Sequence, residues 1–294
     1  MRAVTDDDLP LQYLYRWEHE RGVRPFLTQP LGGGAVREWT WAQAAGDARR
    51  MAAWLRSQNW EPGTRVAIVS KNCAWWIVAD LAIWMAGHVS VPVYPSLKAQ
   101  SVRQILEHSG ARCCFLGATD ERDMVEGIPA GVSRITFPTR TDAESLAWDA
   151  LVASTPPLAE SPTRAAQELA TIIYTSGTTG IPKGVMHSFG AIAFNARSMI
   201  GLLGMTSDQR VLSYLPLAHI VERIGVEALS LALGSRIFFT EGLETFVIDL
   251  QRAEATIFLS VPRLLVKFQQ GVFEKLPKEK LDRLFRIPIV SSLI

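Results

Sequence analysis

Cysteine is scarce in this sequence. Only Cys73, Cys113 and Cys114 occur in 294 residues. One isolated thiol and one adjacent pair suit neither a disulfide framework nor a C-x-x-C metal pair. The neighbours Ala111, Phe115 and Leu116 mark Cys113 and Cys114 as buried strand residues of a protein kept in a reducing cytosol. Charge of one sign is missing too: 30 Lys and Arg stand against 29 Asp and Glu, a formal net charge of +1. No basic run interleaved with aromatics occurs, which speaks against nucleic acid as a partner. Long apolar runs are also lacking. The most apolar stretch, Cys73 to Gly87, contains Asp80 and falls short of the roughly 20 residues a spanning helix needs. It reads as a core helix, so no transmembrane segment is expected, while a peripheral contact at the inner membrane face stays compatible. Met1-Arg2 leads into Asp6, Asp7 and Asp8 and not into an apolar segment, so no signal peptide is expected and the cytoplasm is the expected compartment.

What is present is an ordinary globular composition, 48% apolar and 20% charged, long enough for a large core and two subdomains. Leu9 to Arg21 reads as a helix and Arg24 to Gln29 as a strand. Thr40 is placed to cap a helix reaching about Gln58, with Ala44, Ala48, Met51, Ala52 and Leu55 inward. A regular alternation follows: strand Arg65 to Ser70, a helix capped by Asn72, strand Val89 to Tyr94, helix Ser101 to His108, strand Arg112 to Leu116. This pattern predicts an α/β fold with doubly wound, mostly parallel sheets and helices on both faces. Further strands are expected at Arg134 to Phe137, Arg210 to Leu215, Ser235 to Thr240 and Thr256 to Ser260. Helices are expected from Ser188 to Leu203, His219 to Leu233, Phe246 to Arg252 and Pro262 to Phe273. The Pro- and Ser-rich stretch Ser154 to Ala166 reads as an exposed connection and, on composition, a domain boundary.

One stretch carries the chemistry: Tyr174-Thr175-Ser176-Gly177-Thr178-Thr179-Gly180-Ile181-Pro182-Lys183-Gly184. The apolar, β-branched Leu169 to Ile173 before it reads as a buried strand, and a helical pattern begins at Ser188. Strand, glycine-rich loop and helix together present backbone N–H groups to phosphate. Glycines let the backbone approach anionic oxygens, four hydroxyl side chains offer further donors, and Lys183 adds a point charge. The spacing is not that of a P-loop, which needs G-x-x-x-x-G-K-[ST]; here Gly184 follows the lysine. Outside the loop, Glu222 and Arg223 read as a structural pair, Asp80 as a satisfied structural carboxylate, and Trp75-Trp76 as core packing. His187 and Arg263 carry weaker signals.

The eleven-residue run resembles the phosphate-loop signature of the adenylate-forming (AMP-binding) superfamily. Tyr214-Leu215-Pro216-Leu217-Ala218-His219-Ile220-Val221-Glu222-Arg223 is similar to a second motif in its long-chain fatty-acid–CoA ligase form. Val261-Pro262-Arg263, Asn72 with Trp75-Trp76, and Gly87 to Tyr94 also resemble segments of those ligases. The resemblance implies a two-step ligase: a medium- to long-chain fatty acid attacks ATP to give acyl-AMP, then coenzyme A displaces AMP. Substrates would be a fatty acid, ATP and coenzyme A, with Mg²⁺ as cofactor. It implies that Thr175, Ser176, Gly177, Thr178, Thr179, Gly180 and Lys183 grip the β- and γ-phosphates. It also implies that His219 lies near the adenylate and the mouth of the acyl pocket; a helix-start histidine with a structural hydrogen bond is the alternative. Lys183 and His219 are the catalytic candidates.

The resemblance moves the domain boundary. Residues 61–203 are expected to form a first α/β subdomain with the phosphate loop, and 1–60 plus 204–294 an unfinished second one. The family's Tyr-Gly-x-[Ser/Thr]-Glu motif, whose Glu contributes to Mg²⁺ binding, is missing, as is its Thr-Gly-Asp segment. The chain is therefore expected to be an N-terminal portion of an acyl-CoA synthetase, without the family's C-terminal domain. A fatty acyl-AMP ligase and a non-catalytic nucleotide-binding module are the alternatives, and a kinase-type phosphotransferase is disfavoured by the loop spacing. The lack of a recognisable amine-binding Asp favours fatty acids over amino acids.

Overall fold

The computed structural model describes residues 4–175, 182–242, 244–275 and 280. Two compact units emerge, one running to Ile257 and one beginning at Phe258.

The first unit opens with α1 (Pro10–Arg21), started by proline at its first turn, and a hairpin of β1 (Pro25–Gly32) and β2 (Ala35–Thr40). Next comes α2 (Trp41–Ser57). Its start is a reciprocal cap: the Gln43 N–H donates to the Thr40 hydroxyl at 3.2 Å and the Thr40 N–H donates to Gln43 Oε1 at 2.9 Å. Ala44, Ala48, Met51, Ala52 and Leu55 are buried along it, at the expected helical spacing.

The predicted alternation follows as β3 (Arg65–Val69), α3 (Ala74–Met85), β4 (Val89–Val93), α4 (Ala99–Ser109) and β5 (Cys113–Leu116). Then come β6 (Ser133–Thr136), β7 (Leu146–Ala147), α5 (Trp148–Ser154), β8 (Leu169–Thr175), β9 (Lys183–Ser188) and α6 (Phe189–Leu203). The unit continues with β10 (Arg210–Ser213), α7 (Ile220–Glu222), a π-helical stretch (Arg223–Ala228), α8 (Leu229–Leu233), β11 (Arg236–Phe239) and α9 (Phe246–Ala253).

Among the described residues the strands form two sheets, ordered β7-β6-β5-β3-β4-β8-β9 and β10-β11-β1-β2. The first is parallel except for β9, and the second joins parallel β10, β11 and β1 to antiparallel β2. This is the expected α/β architecture of mostly parallel, helix-flanked sheets.

All twelve residues of α3 are buried, because the helix is apolar on every side and has protein on every side. Trp75 meets Trp39 of β2 edge-on at 5.2 Å, and Trp84 meets Phe189 of α6 at 5.4 Å. Cys113 and Cys114 alternate to opposite faces of β5 and belong to different core clusters, both fully buried. Burial pushes the Cys114 thiol up to about 12, so neither a metal ligand nor a nucleophile is on offer there.

Several local readings are corrected. Asn72 is not the cap of α3: Cys73 occupies that position, and the first free N–H, that of Ala74, donates to Gln29 Oε1 at 2.9 Å. The phosphate loop is not followed directly by a helix. Lys183–Ser188 pairs antiparallel with Leu169–Thr175, so strand, loop and strand form a hairpin, and Ser188 caps α6 only after it. β-Branched and apolar residues had already marked β8, but Val185-Met186-His187 was too short and mixed to stand out as its partner. Thr256 to Ser260 is not a ladder strand; within the first unit Ile257 makes a single parallel bridge to Val211. Nor do Glu222 and Arg223 pair with each other; each turns to other partners, described below.

In the second unit α10 (Pro262–Lys275) starts at the expected proline, and the Phe258 and Phe268 rings lie 6.4 Å apart.

Candidate nucleotide site

In an open parallel sheet, ligands bind beyond the carboxyl ends of the strands. Three strand ends converge there: β3 runs into Ser70-Lys71-Asn72, β4 into Tyr94, and β8 into Thr175. β4 and β8 are neighbours, with Ser90 opposite Thr171. Across the hairpin Tyr174 pairs with Gly184 and Thr175 with Lys183. Thr175 and Lys183 are therefore cross-strand partners at the mouth of the loop, and both are exposed. Ser176, Gly177, Thr178, Thr179 and Gly180 lie outside the described residues.

The hairpin base is tightly built. The Tyr174 ring is buried and its hydroxyl lies 2.7 Å from His108 Nδ1, anchoring the end of β8 to α4. A Cβ on Gly184 would sit 2.7 Å from Ile172 Cγ2 and 3.2 Å from the Tyr174 ring, so glycine there is a packing requirement.

His219 comes from a separate segment, after β10, and meets this region through Tyr94: the two rings lie edge-on, centroids 6.4 Å apart. His219 is the N-cap of α7. Its Nδ1 accepts the Val221 N–H at 3.1 Å, which makes Nε2 the protonated nitrogen of the neutral ring. The structural hydrogen bond weighed from sequence is thus present, and the ring is exposed as well.

Two side chains near His219 have partners that local sequence rules do not reveal. Asn72 donates from Nδ2 to Ser213 Oγ (2.8 Å) and to the Leu215 carbonyl (2.6 Å), while the Leu217 N–H donates to its Oδ1 (2.9 Å). Glu222 is fully buried and accepts from Ser213 Oγ (2.9 Å) and the Tyr214 N–H (3.0 Å). Burial pushes its carboxyl up to about 8, against the pull of those hydrogen bonds.

Behind them lies a second buried set. Arg223 Nη2 donates to Asp80 Oδ2 at 2.5 Å, and its Nε lies 3.3 Å from Glu227 Oε2. The guanidinium is flanked by the Trp76 and Trp84 rings at 5.0 and 5.5 Å. Asp80 is thus the paired structural carboxylate expected, and Trp75 and Trp76 are core. Desolvation raises both carboxyls, against the pull of the Arg223 charge. Burial, and then the Arg223 charge, lower the pKa of His187.

A family model described as AMP-binding enzyme matches residues 14–289. The chain belongs to the AMP-binding enzyme family. Its relatives include the long-chain-fatty-acid–CoA ligase FadD15 of Mycobacterium bovis, 31% identical over 94% of this chain and 48% of that protein. Long chain acyl-CoA synthetase 2 of Arabidopsis thaliana is 27% identical over 95% of this chain and 46% of its own length. The chain thus spans about half the length of the curated relatives it matches. Among solved structures, the O-succinylbenzoate coenzyme A synthetase of Bacillus subtilis in complex with AMP superposes with a TM-score of 0.72 at 25% identity, over 91% of this chain and 65% of that one. A Rhodopseudomonas palustris protein described as a putative long-chain-fatty-acid CoA ligase shares the fold at a TM-score of 0.76 and 22% identity, over 89% and 65% of the two chains.

Family members of this kind imply Mg²⁺. Among the described residues no three of His, Cys, Asp and Glu come together in a set that could hold a metal ion. Mg²⁺ commonly rests on one or two carboxylates, waters and the substrate's own phosphates, so such a cluster is not what it requires. No helix among the described residues is long and apolar enough to cross a membrane.

Proposed function

We propose that this chain carries the phosphate-gripping half of an AMP-forming ligase that activates a medium- to long-chain fatty acid. The carrying observation is the Thr175–Lys183 pair, fixed across the mouth of the Ser/Thr/Gly-rich loop at the carboxyl end of β8. In the reaction, a fatty carboxylate oxygen attacks the α-phosphorus of ATP. The bond to the bridging oxygen breaks, and pyrophosphate leaves with that electron pair. Coenzyme A then attacks the acyl carbonyl through sulfur; its thiol proton is released and AMP departs. The carboxylate is already a nucleophile, so the chain needs no Ser-His-Asp machinery. Its contribution is to orient charged groups and to stabilise charge as it develops on the leaving pyrophosphate. Lys183 and the hydroxyl of Thr175 supply that stabilisation, together with Ser176, Gly177, Thr178, Thr179 and Gly180 of the loop. His219, with Nε2–H outward of its own cap bond, is the donor assigned to the adenylate side. The fatty acid, as opposed to the aromatic acids of other family members, is supported by the relatives named above.

The test is calorimetric titration of the 294-residue chain with ATP and with pyrophosphate. Binding is expected for the wild type and about tenfold weaker binding for Lys183→Ala, the size of one charge-assisted contact. Equal affinity in the two proteins overturns the assignment. Substrate class is read separately, from fatty-acid-dependent exchange of pyrophosphate into ATP across a chain-length series. Acyl-AMP accumulating without coenzyme A consumption would mark an acyl-AMP ligase instead.

A further inference from the structure

We propose that Asn72 is a positioning residue: it fixes the backbone of Leu215 to Leu217 and thereby sets the orientation of His219. The inference rests on the role assigned to His219 above. Asn72 follows β3 of the seven-stranded sheet, whereas all its side-chain partners follow or end β10 of the four-stranded sheet. An asparagine side chain has two N–H donors and one carbonyl oxygen. Here both donors and the oxygen engage that one segment, at Ser213, Leu215 and Leu217. Its backbone side is equally held: the next residue back, Lys71, donates its N–H to the Ala118 carbonyl at 2.7 Å, and its ammonium pairs with Asp120 at 2.7 Å.

From Leu217 the constraint reaches His219 with little slack. Leu217 and Ala218 are buried, and the His219 N–H donates to the Pro216 carbonyl at 2.8 Å. The His219 carbonyl accepts from the N–H groups of Glu222 and Arg223, both at 3.1 Å, and the ring accepts from Val221. Once the Leu215–Leu217 backbone is fixed, ring and backbone of His219 are fixed as well. The clamp continues beneath: Ser213 Oγ, which accepts from Asn72, donates onward to Glu222 at the third position of the same helix start. A helix-capping asparagine would show a different pattern, with its oxygen on an N–H of α3. That N–H is already taken by Gln29.

The deciding experiment needs no ligand. In the 294-residue chain labelled with ¹⁵N-histidine, the His219 signal (assigned by its loss in His219→Gln) is expected to report one tautomer, Nε2–H with Nδ1 as acceptor. In Asn72→Ala, with unchanged far-UV circular dichroism, that signal is expected to move to a tautomer average. The Leu217 and Val221 amides are expected to exchange at least tenfold faster. A folded Asn72→Ala with unchanged His219 signal and Val221 exchange overturns the proposal, since Asn72 touches neither group directly. Where Asn72→Ala fails to fold, the isosteric Asn72→Asp, which keeps the oxygen and loses both donors, decides by the same readings. Absence of ATP binding in the wild type would overturn the ligase reading and leave these readings valid.

Discussion

His88 is 2% exposed, and neither ring nitrogen has a hydrogen-bond partner among the described residues. Burial, and then the charges of Arg164 and Arg56, push its pKa from 6.5 to about 4. The unfolded chain therefore takes up a proton below pH 6.5 that the folded protein refuses until about pH 4. Stability from this group is lost as pH falls through that window. Glu222 works in the opposite sense. Its folded pKa of about 8 lies above the ordinary 4.5, so its contribution is full below pH 4.5 and is lost as pH rises towards 8. Between pH 4.5 and 6.5 the two slopes oppose each other; above 6.5 Glu222 alone acts. Urea denaturation across pH 4 to 9 is expected to show His88→Gln flattening the acid limb and Glu222→Gln flattening the limb above pH 6.5. At the buried Asp80–Arg223–Glu227 set, two carboxyls share one guanidinium, and desolvation raises both. Glu227→Gln, which keeps the shape and leaves the shorter Arg223–Asp80 pair in place, is expected to change stability by under about 1 kcal/mol. Arg223→Met, which strands Asp80, is expected to cost about 3–5 kcal/mol in the same assay.

At the scale of elements, the hairpin at the site hinges on Gly184. Gly184→Val would drive its side chain into Ile172 and the Tyr174 ring, at an expected cost of about 1–3 kcal/mol in thermal unfolding, together with weaker pyrophosphate binding. Thr40→Ala removes one half of the cap on α2 and is expected to cost about 1 kcal/mol. Elements of this kind were legible in the sequence wherever a local rule suffices. Thr40 three residues before Gln43, proline at position 262, and the strand–helix alternation from Arg65 to Leu116 all follow from contacts near in sequence. The partner strand β9, the π-helical stretch and the short Trp148–Ser154 helix were not legible, because tertiary contacts and not local propensity decide them. The same division holds at the site. Thr175 and Lys183 are visible as a motif. The partnership of Asn72 with Leu215 and Leu217, about 145 positions further on, has no local signature, and by local rules Asn72 reads as a cap.

At the scale of the whole first unit, α3 is the shared core: it is buried end to end, Trp75 meets Trp39 of β2, and Trp84 Nε1–H donates to the Ala170 carbonyl of β8 at 3.0 Å, so it touches both sheets. Trp76→Ala is expected to lower stability by about 3–5 kcal/mol while leaving one unfolding transition, with tryptophan fluorescence and far-UV circular dichroism coincident. The sheets differ in how the chain reaches them. Residues 65–188 supply the seven-stranded sheet without interruption, whereas β1 must find β11, with Leu27 opposite Ile237. During synthesis the larger sheet can assemble as soon as its own residues emerge. The β1–β2 hairpin, with Phe26, Leu27 and Trp39 awaiting cover, must wait for about 200 more residues before its parallel neighbour exists. Pulse-labelled hydrogen exchange during refolding is expected to protect the amides of β3 to β5 before those of β1 and β11. The order of events in time would then run from the middle of the chain outwards, and residues 1–60 would be the most exposed to aggregation and proteolysis while the rest is being made.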